Sequence, residues 1–158
     1  MVRKRIEKLL SIIFSLFLFT LLVTGIHEQF HFITARAFGI EGYVTFTSWS
    51  GGGYFHYPDG ATPTFFQDSI IGLAGGIGTA LILSGLWYFA TRQAKYTTWE
   101  LDDCLALQIL MVHQLVYAPF DAWGRSFAAW GSNIGMLVAF VIAVLVYGKR
   151  IFSWLQED

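Results

Sequence analysis

His27, Glu28 and His31 spell His-Glu-x-x-His at the end of a long apolar run. Histidines four apart on a helix lie about 40° apart around the axis and about 6 Å apart along it. Both imidazoles can therefore hold one zinc ion. Glu28, one step along, can take a proton from a water that such an ion has acidified. The apolar setting sharpens this reading. A charged carboxylate near the bilayer core costs about 2.5–3.5 kcal/mol on insertion scales, so such a group is rarely kept without a use.

The elements that must position these residues follow from composition. Of 158 residues, 55% are hydrophobic and only 13% charged, against about 25% charged in soluble domains. The chain reads as an integral membrane protein, and its length allows one domain, residues 1–158. A net charge of −1 gives no footprint for nucleic acid. The single cysteine, Cys104, excludes an internal disulfide and a cysteine-based zinc site. It reads as a small apolar filler.

Four spans are expected, at about residues 9–37, 67–90, 101–120 and 127–148, each near the ~20 residues a bilayer requires. The first follows Arg3, Lys4, Arg5 and Lys8. Its apolar run exceeds the ~7–15 residues of a signal peptide, and no clear cleavage site follows, so it reads as a retained helix. Lysine and arginine number eight on the side of the termini and the second loop. The other side has two, Arg36 and Arg125. The bias places both termini in the cytoplasm. It puts His27 and His31 near the outer end of the first helix.

The segment from 41 to 64 differs in character. Tyr43 to Trp49 alternates loosely with β-branched and aromatic residues, Ser50 to Gly53 makes a turn, and Tyr54 to Tyr57 reads as a return strand. Pro58-Asp59-Gly60 makes a second turn. The fold class is thus an all-α membrane protein of four transmembrane helices, with a small β-hairpin between the first two. An irregular loop carrying an interfacial aromatic belt is the plainer alternative for the hairpin.

Zinc needs a third protein ligand and an open position. That ligand must lie at the depth of His27 and His31. The third span also runs from inside to outside, and its outer end carries Asp121. Asp121 therefore arrives at the right level.

These segments resemble the site-2 protease family of intramembrane zinc metalloproteases. His27-Glu-Gln-Phe-His31, followed by Ala35-Arg36 and Gly39, is similar to the family's zinc helix. Ala74-Gly75-Gly76-Ile-Gly-Thr79 resembles its Ala-Gly-Pro-x-x-Asn segment, and Pro119-Phe120-Asp121 its Pro-Leu-Asp-Gly motif. The order is the family's, over about residues 9–125. The resemblance implies Zn2+ as cofactor, with His27, His31 and Asp121 as ligands. Glu28 would be the general base and later protonate the leaving amine. The partner would be a membrane protein or peptide substrate, cut in or beside a transmembrane segment. The hairpin would pair with its backbone and hold it extended, because a helical peptide bond is poorly accessible. The chain departs from the pattern at Gly76 for Pro, Thr79 for Asn, Ala122-Trp123 for Gly-Gly, and His113 for an Asn eight residues before the Asp. The family's site commonly lies nearer the cytoplasmic leaflet, whereas the charge count places this one toward the outer leaflet.

Other residues carry competing readings. His113 could stabilise an oxyanion, hydrogen-bond a ligand, or pair with Gln108 or Gln114 between helices. His56, in the hairpin, could reach the metal as a fourth ligand or be solvated. Asp68 reads as a cap of the second helix, and Asp102 and Asp103 of the third. Arg36 and Arg125 read as surface anchors. Gly72, Gly75, Gly76 and Gly78 would let helices approach closely. Two other functions are open: a haem- or metal-binding four-helix protein with redox or transport work, and an inactive adaptor that binds transmembrane segments. Glu28 discriminates, since a haem protein has no need of a carboxylate between its histidines and a di-iron site wants more of them.

Overall fold

The structure, a computed structural model, describes residues 2–46, 53–93 and 101–156. Four helices carry the chain: α1 (Val2–Ala37), α2 (Phe65–Gln93), α3 (Leu101–Ala122) and α4 (Arg125–Gln156). Strands β1 (Tyr43–Phe46) and β2 (Gly53–His56) lie between α1 and α2. All four helices are long and apolar enough to cross a membrane, so the chain is a multi-pass membrane protein, as its composition predicts. The helices outrun the apolar stretches. With 36 residues, α1 is about 54 Å long, well beyond the ~30 Å hydrocarbon core. Backbone hydrogen bonding continues past the apolar limit because nothing in the flanking residues interrupts it.

Large side chains such as Phe14, Phe17 and Leu21 on α1, and Leu137, Val144 and Leu145 on α4, are exposed on the protein surface. In water such faces would drive association; in a bilayer they meet acyl chains. The third helix is central and packs against each of the others. One buried cluster joins Val23, Leu83, Ala90, Cys104, Leu107 and Leu110; another joins Leu105, Ile109, Val112, Ala139, Ala143 and Tyr147. Cys104 is apolar filler in the first of these, as expected.

The glycines of α2 let backbones touch. A side chain at Gly72 would run into the Ala122 backbone, and one at Gly76 into Ala118 and the Gln114 carbonyl. These two positions are one helical turn apart, the spacing that favours close helix contact in membranes. Gly78 gives the same clearance to the Phe30 ring of α1.

The hairpin pairs Tyr43 with His56 and Phe46 with Gly53 in antiparallel register. The expected strand continues past Phe46 into 47–49, which, like the turn at 50–52, lies outside the described residues. The return strand begins one residue earlier than expected, at Gly53, and ends at His56. Pro58-Asp59-Gly60 does turn: the Ala61 amide donates to the Pro58 carbonyl at 3.0 Å. Gly60 has φ +82°, the value a type II turn demands at its third position.

The cap of α2 is Thr64 rather than Asp68. Thr64 Oγ1 accepts from the Gln67 amide at 3.3 Å, and Gln67 Oε1 accepts from the Thr64 amide at 2.9 Å. This reciprocal pair is a capping box. Asp68, freed from that task, accepts from the Tyr57 hydroxyl at 2.6 Å and ties the hairpin's base to α2. Burial and this bond push the Tyr57 phenol above its ordinary value, so it stays a neutral donor. Asp102 and Asp103, in the first turn of α3, accept from Ser11 and Ser15 of α1. They thus join two helices.

Candidate metal centre

Helix α1 brings His27, Glu28 and His31 to one buried level near its C-terminal end. Its end is fixed by a Schellman arrangement. The Ile40 amide donates to the Ala35 carbonyl at 3.0 Å and the Gly39 amide to Arg36 at 2.9 Å. Gly39 takes φ +75°, which glycine reaches without a Cβ penalty. This turns the chain back, so that the hairpin lies over the helix end. Arg36 stacks on Phe32 at 5.5 Å; the side chain of Arg125 lies outside the described residues.

Hydrogen bonds fix the two imidazoles. His31 Nδ1 donates to the Ile71 carbonyl of α2 at 2.6 Å. His27 Nδ1 donates to Gln114 Oε1 of α3 at 2.8 Å. A neutral imidazole carries one N–H, and here each is already engaged. The two Nε2 lone pairs therefore face each other, 2.9 Å apart. Asp121 Oδ2 completes a triangle, 3.1 Å from each. Tyr117 donates to the other oxygen, Oδ1, at 3.3 Å and holds the carboxylate in that orientation.

With both imidazoles neutral and their protons on Nδ1, these three atoms are all acceptors and repel one another, and a shared cation removes the conflict. The dimensions suit zinc. Bonds of about 2.0–2.1 Å in a tetrahedral site set neighbouring ligand atoms about 3.3–3.4 Å apart. The triangle is only slightly tighter. The donor set and the outward hydrogen bonds from both ring nitrogens fit such an ion. Donor atoms of His27, Glu28 and His31 also lie within 4.8 Å of one another. That looser grouping leaves Glu28 beside the triangle rather than in it. Gly75 of α2 packs directly on the imidazoles: a Cβ there would meet Nε2 of both rings.

The hairpin covers Glu28. A Cβ on Gly53 would lie 2.5 Å from Glu28 Cγ, and the Phe55 backbone amide donates to the Glu28 carboxylate. The Phe55 ring lies 6.3 Å from that of His31. A cavity of about 860 Å³ opens beside these groups, lined by residues of all four helices and of β2.

The structure thus brings together His27, Glu28, His31 and Asp121. His113 lines the same cavity, but its Nε2 bonds Ser132 of α4 at 3.3 Å, and its ring stacks on Tyr117 with centroids 5.9 Å apart. His56 is not brought in. Its Nε2 bonds Thr45 at 2.8 Å and its ring stacks on Tyr43, which hold it against β1.

Sequence reasoning missed three contributors. Gln114 was visible only as a partner for His113, and Tyr117 and the β2 backbone were not visible. The signal for the first two is periodic: Gln114, Tyr117 and Asp121 recur on one face of α3. The placement of Gly53 and Phe55 over Glu28 has no local signature. No protein-family model matches the chain, and no curated protein and no solved structure matches it either.

Proposed function

We propose that the chain is an intramembrane zinc metallopeptidase that hydrolyses a peptide bond in or near a transmembrane segment of another protein. One observation carries this reading: Nε2 of His27, Nε2 of His31 and Oδ2 of Asp121, from two helices, converge within 3.1 Å, while Nδ1 of each imidazole lies within hydrogen-bond distance of an outward acceptor. His27, His31 and Asp121 would hold the ion. When bound, zinc acidifies a water and polarises a carbonyl.

The chain's own residues supply the rest. Glu28 takes the proton from the attacking water at its carboxylate. As water oxygen bonds to the peptide carbon and the C–N bond breaks, Glu28 returns that proton to the leaving nitrogen. The Phe55 amide and the Gly53 backbone hold the carboxylate in place for both transfers. Strand β2 has β1 on one edge and no other strand partner among the described residues. Its inner side lines the cavity. An extended substrate strand added there would run across Glu28, with main-chain bonds giving affinity.

The geometry does not favour haem. The Nε2 atoms of His27 and His31 stand 2.9 Å apart, too close for a flat macrocycle to lie between them.

The test is metal content. The wild type is expected to hold one zinc per chain, and Asp121→Ala to lose at least about 90% of it under the same dialysis, a tenfold or larger change in affinity. Wild type without zinc overturns the proposal; full occupancy in Asp121→Ala overturns the third ligand. The charge bias further places both termini in the cytoplasm and the site toward the outer leaflet. Cysteines introduced singly at Glu41 and Asp59, in a Cys104→Ala background, are expected to react with an impermeant reagent only from outside the cell. Labelling only from the cytoplasm reverses the orientation.

A further inference from the structure

The groups behind the ligands form a chain of their own. From His27 Nδ1 it runs to Gln114 Oε1 at 2.8 Å, from Gln114 Nε2 to His113 Nδ1 at 3.4 Å, and from His113 Nε2 to Ser132 Oγ at 3.3 Å. It starts on α1, crosses α3 and ends on α4. His27 and Gln114 are both more than nine-tenths buried.

The direction of donation follows step by step. A metal at His27 Nε2 needs the lone pair there, which leaves the ring's only proton on Nδ1. That proton needs an acceptor, so Gln114 must present its oxygen. Its nitrogen end then faces His113 and donates to Nδ1. His113 in turn carries its proton on Nε2 and donates to Ser132. A glutamine amide unsupported at one end can rotate and present either face. Here rotation would set an N–H against the His27 N–H. The His113–Ser132 arm opposes it by offering the amide nitrogen an acceptor.

We infer that Gln114 is the positioning residue of the metal centre, and that His113 and Ser132 act through it by holding its amide oxygen toward His27. The inference rests on the zinc reading above. It gives His113 a definite task. With Nδ1 accepting and Nε2 turned to α4, His113 has no proton aimed at the metal triangle, so it serves His27 rather than an oxyanion. It also makes α4 part of the support of a site to which it gives no ligand. The last two links are long for hydrogen bonds, beyond the usual 3.2 Å. The effects must therefore fall in the order Gln114, His113, Ser132.

The experiment measures zinc affinity of the full-length protein in detergent by competition with a chromophoric chelator. The Co2+ absorption spectrum and the thermal unfolding of the metal-free protein are recorded in parallel. Gln114→Leu removes the acceptor and is expected to weaken zinc binding about 10–100-fold. Gln114→Glu keeps an oxygen acceptor for His27 but has no donor for His113; it is expected to bind zinc at least as tightly as wild type, with the tetrahedral Co2+ spectrum retained. His113→Phe, which touches no ligand, is expected to weaken binding less than Gln114→Leu does, and Ser132→Ala least. A Gln114→Leu protein with wild-type zinc affinity overturns the inference. So does a Gln114→Glu protein that loses as much affinity as Gln114→Leu, because that pattern marks a packing role alone. If Gln114→Leu does not fold, His113→Phe decides, and unchanged affinity there overturns the inference. A wild type that binds no zinc overturns instead the reading on which it rests.

Discussion

Gly75→Ala is expected to give a folded membrane protein that no longer holds zinc. A methyl group at this position would fall 2.7 Å from His27 Nε2 and closer still to His31 Cε1 and Nε2. No real Cβ sits at such distances, so the rings must move. Each is pinned at its far nitrogen, His31 to the Ile71 carbonyl and His27 to Gln114. Relief comes by swinging an Nε2 out of the triangle and breaking the bond behind it, or by shifting α2, which carries the Ile71 carbonyl away from His31. Overpacking of this kind costs about 1–3 kcal/mol of stability, which a four-helix bundle can absorb. The proposed metal site could not absorb it, and the loss in zinc affinity should be at least about 100-fold. Zinc content after purification and the Co2+ spectrum check the result. A Gly75→Ala protein with one tightly held zinc would show that the imidazoles are not the ligands.

Glu28→Gln is expected to separate binding from chemistry. Glutamine has the same shape, and its Oε1 can still accept from the Phe55 amide under the Gly53 backbone. It cannot take a proton from water. Removing a general base costs about 10²–10⁴ in rate. Cleavage of a reporter membrane substrate in proteoliposomes should fall by about that factor while zinc occupancy stays at the wild-type level. Cleavage at the wild-type rate would remove Glu28 from the mechanism.

The pattern of what could be foreseen has a physical cause. The four spans, and the return of the chain in a hairpin, follow from local composition and turn chemistry, which act over a few residues. His27 and His31 are legible together because one helix holds both. Asp121 is legible because a span has a direction and a length, so its outer end can be matched to that of another span. Gln114 is not, since its place on the face of Asp121 gives no hint of which neighbour its amide bonds. The contact of Gly75 with two rings depends on how far α2 slides along α1, and sliding leaves no mark in either helix. The hairpin's seat on Glu28 depends on the Schellman cap at Gly39, whose turn is local but whose target is not. Asp68 misleads for a related reason: Thr64 and Gln67 form a better cap, and the turn at 58–61 brings Tyr57 to the carboxylate instead.

The cavity of about 860 Å³ bears on supply as well as shape. Its lining includes Thr20, Thr24, Tyr57 and Asp68 alongside the metal triangle, so it offers water hydrogen-bonding partners along its length. Hydrolysis consumes one water per turnover, and lipid holds almost none. On the proposed reading, a cavity of this volume would decouple the reaction from the surrounding bilayer: no membrane defect would have to form to deliver the reactant. The slow event in each cycle would then be unwinding a helical substrate to lie along β2, and the stability of that helix would set the pace.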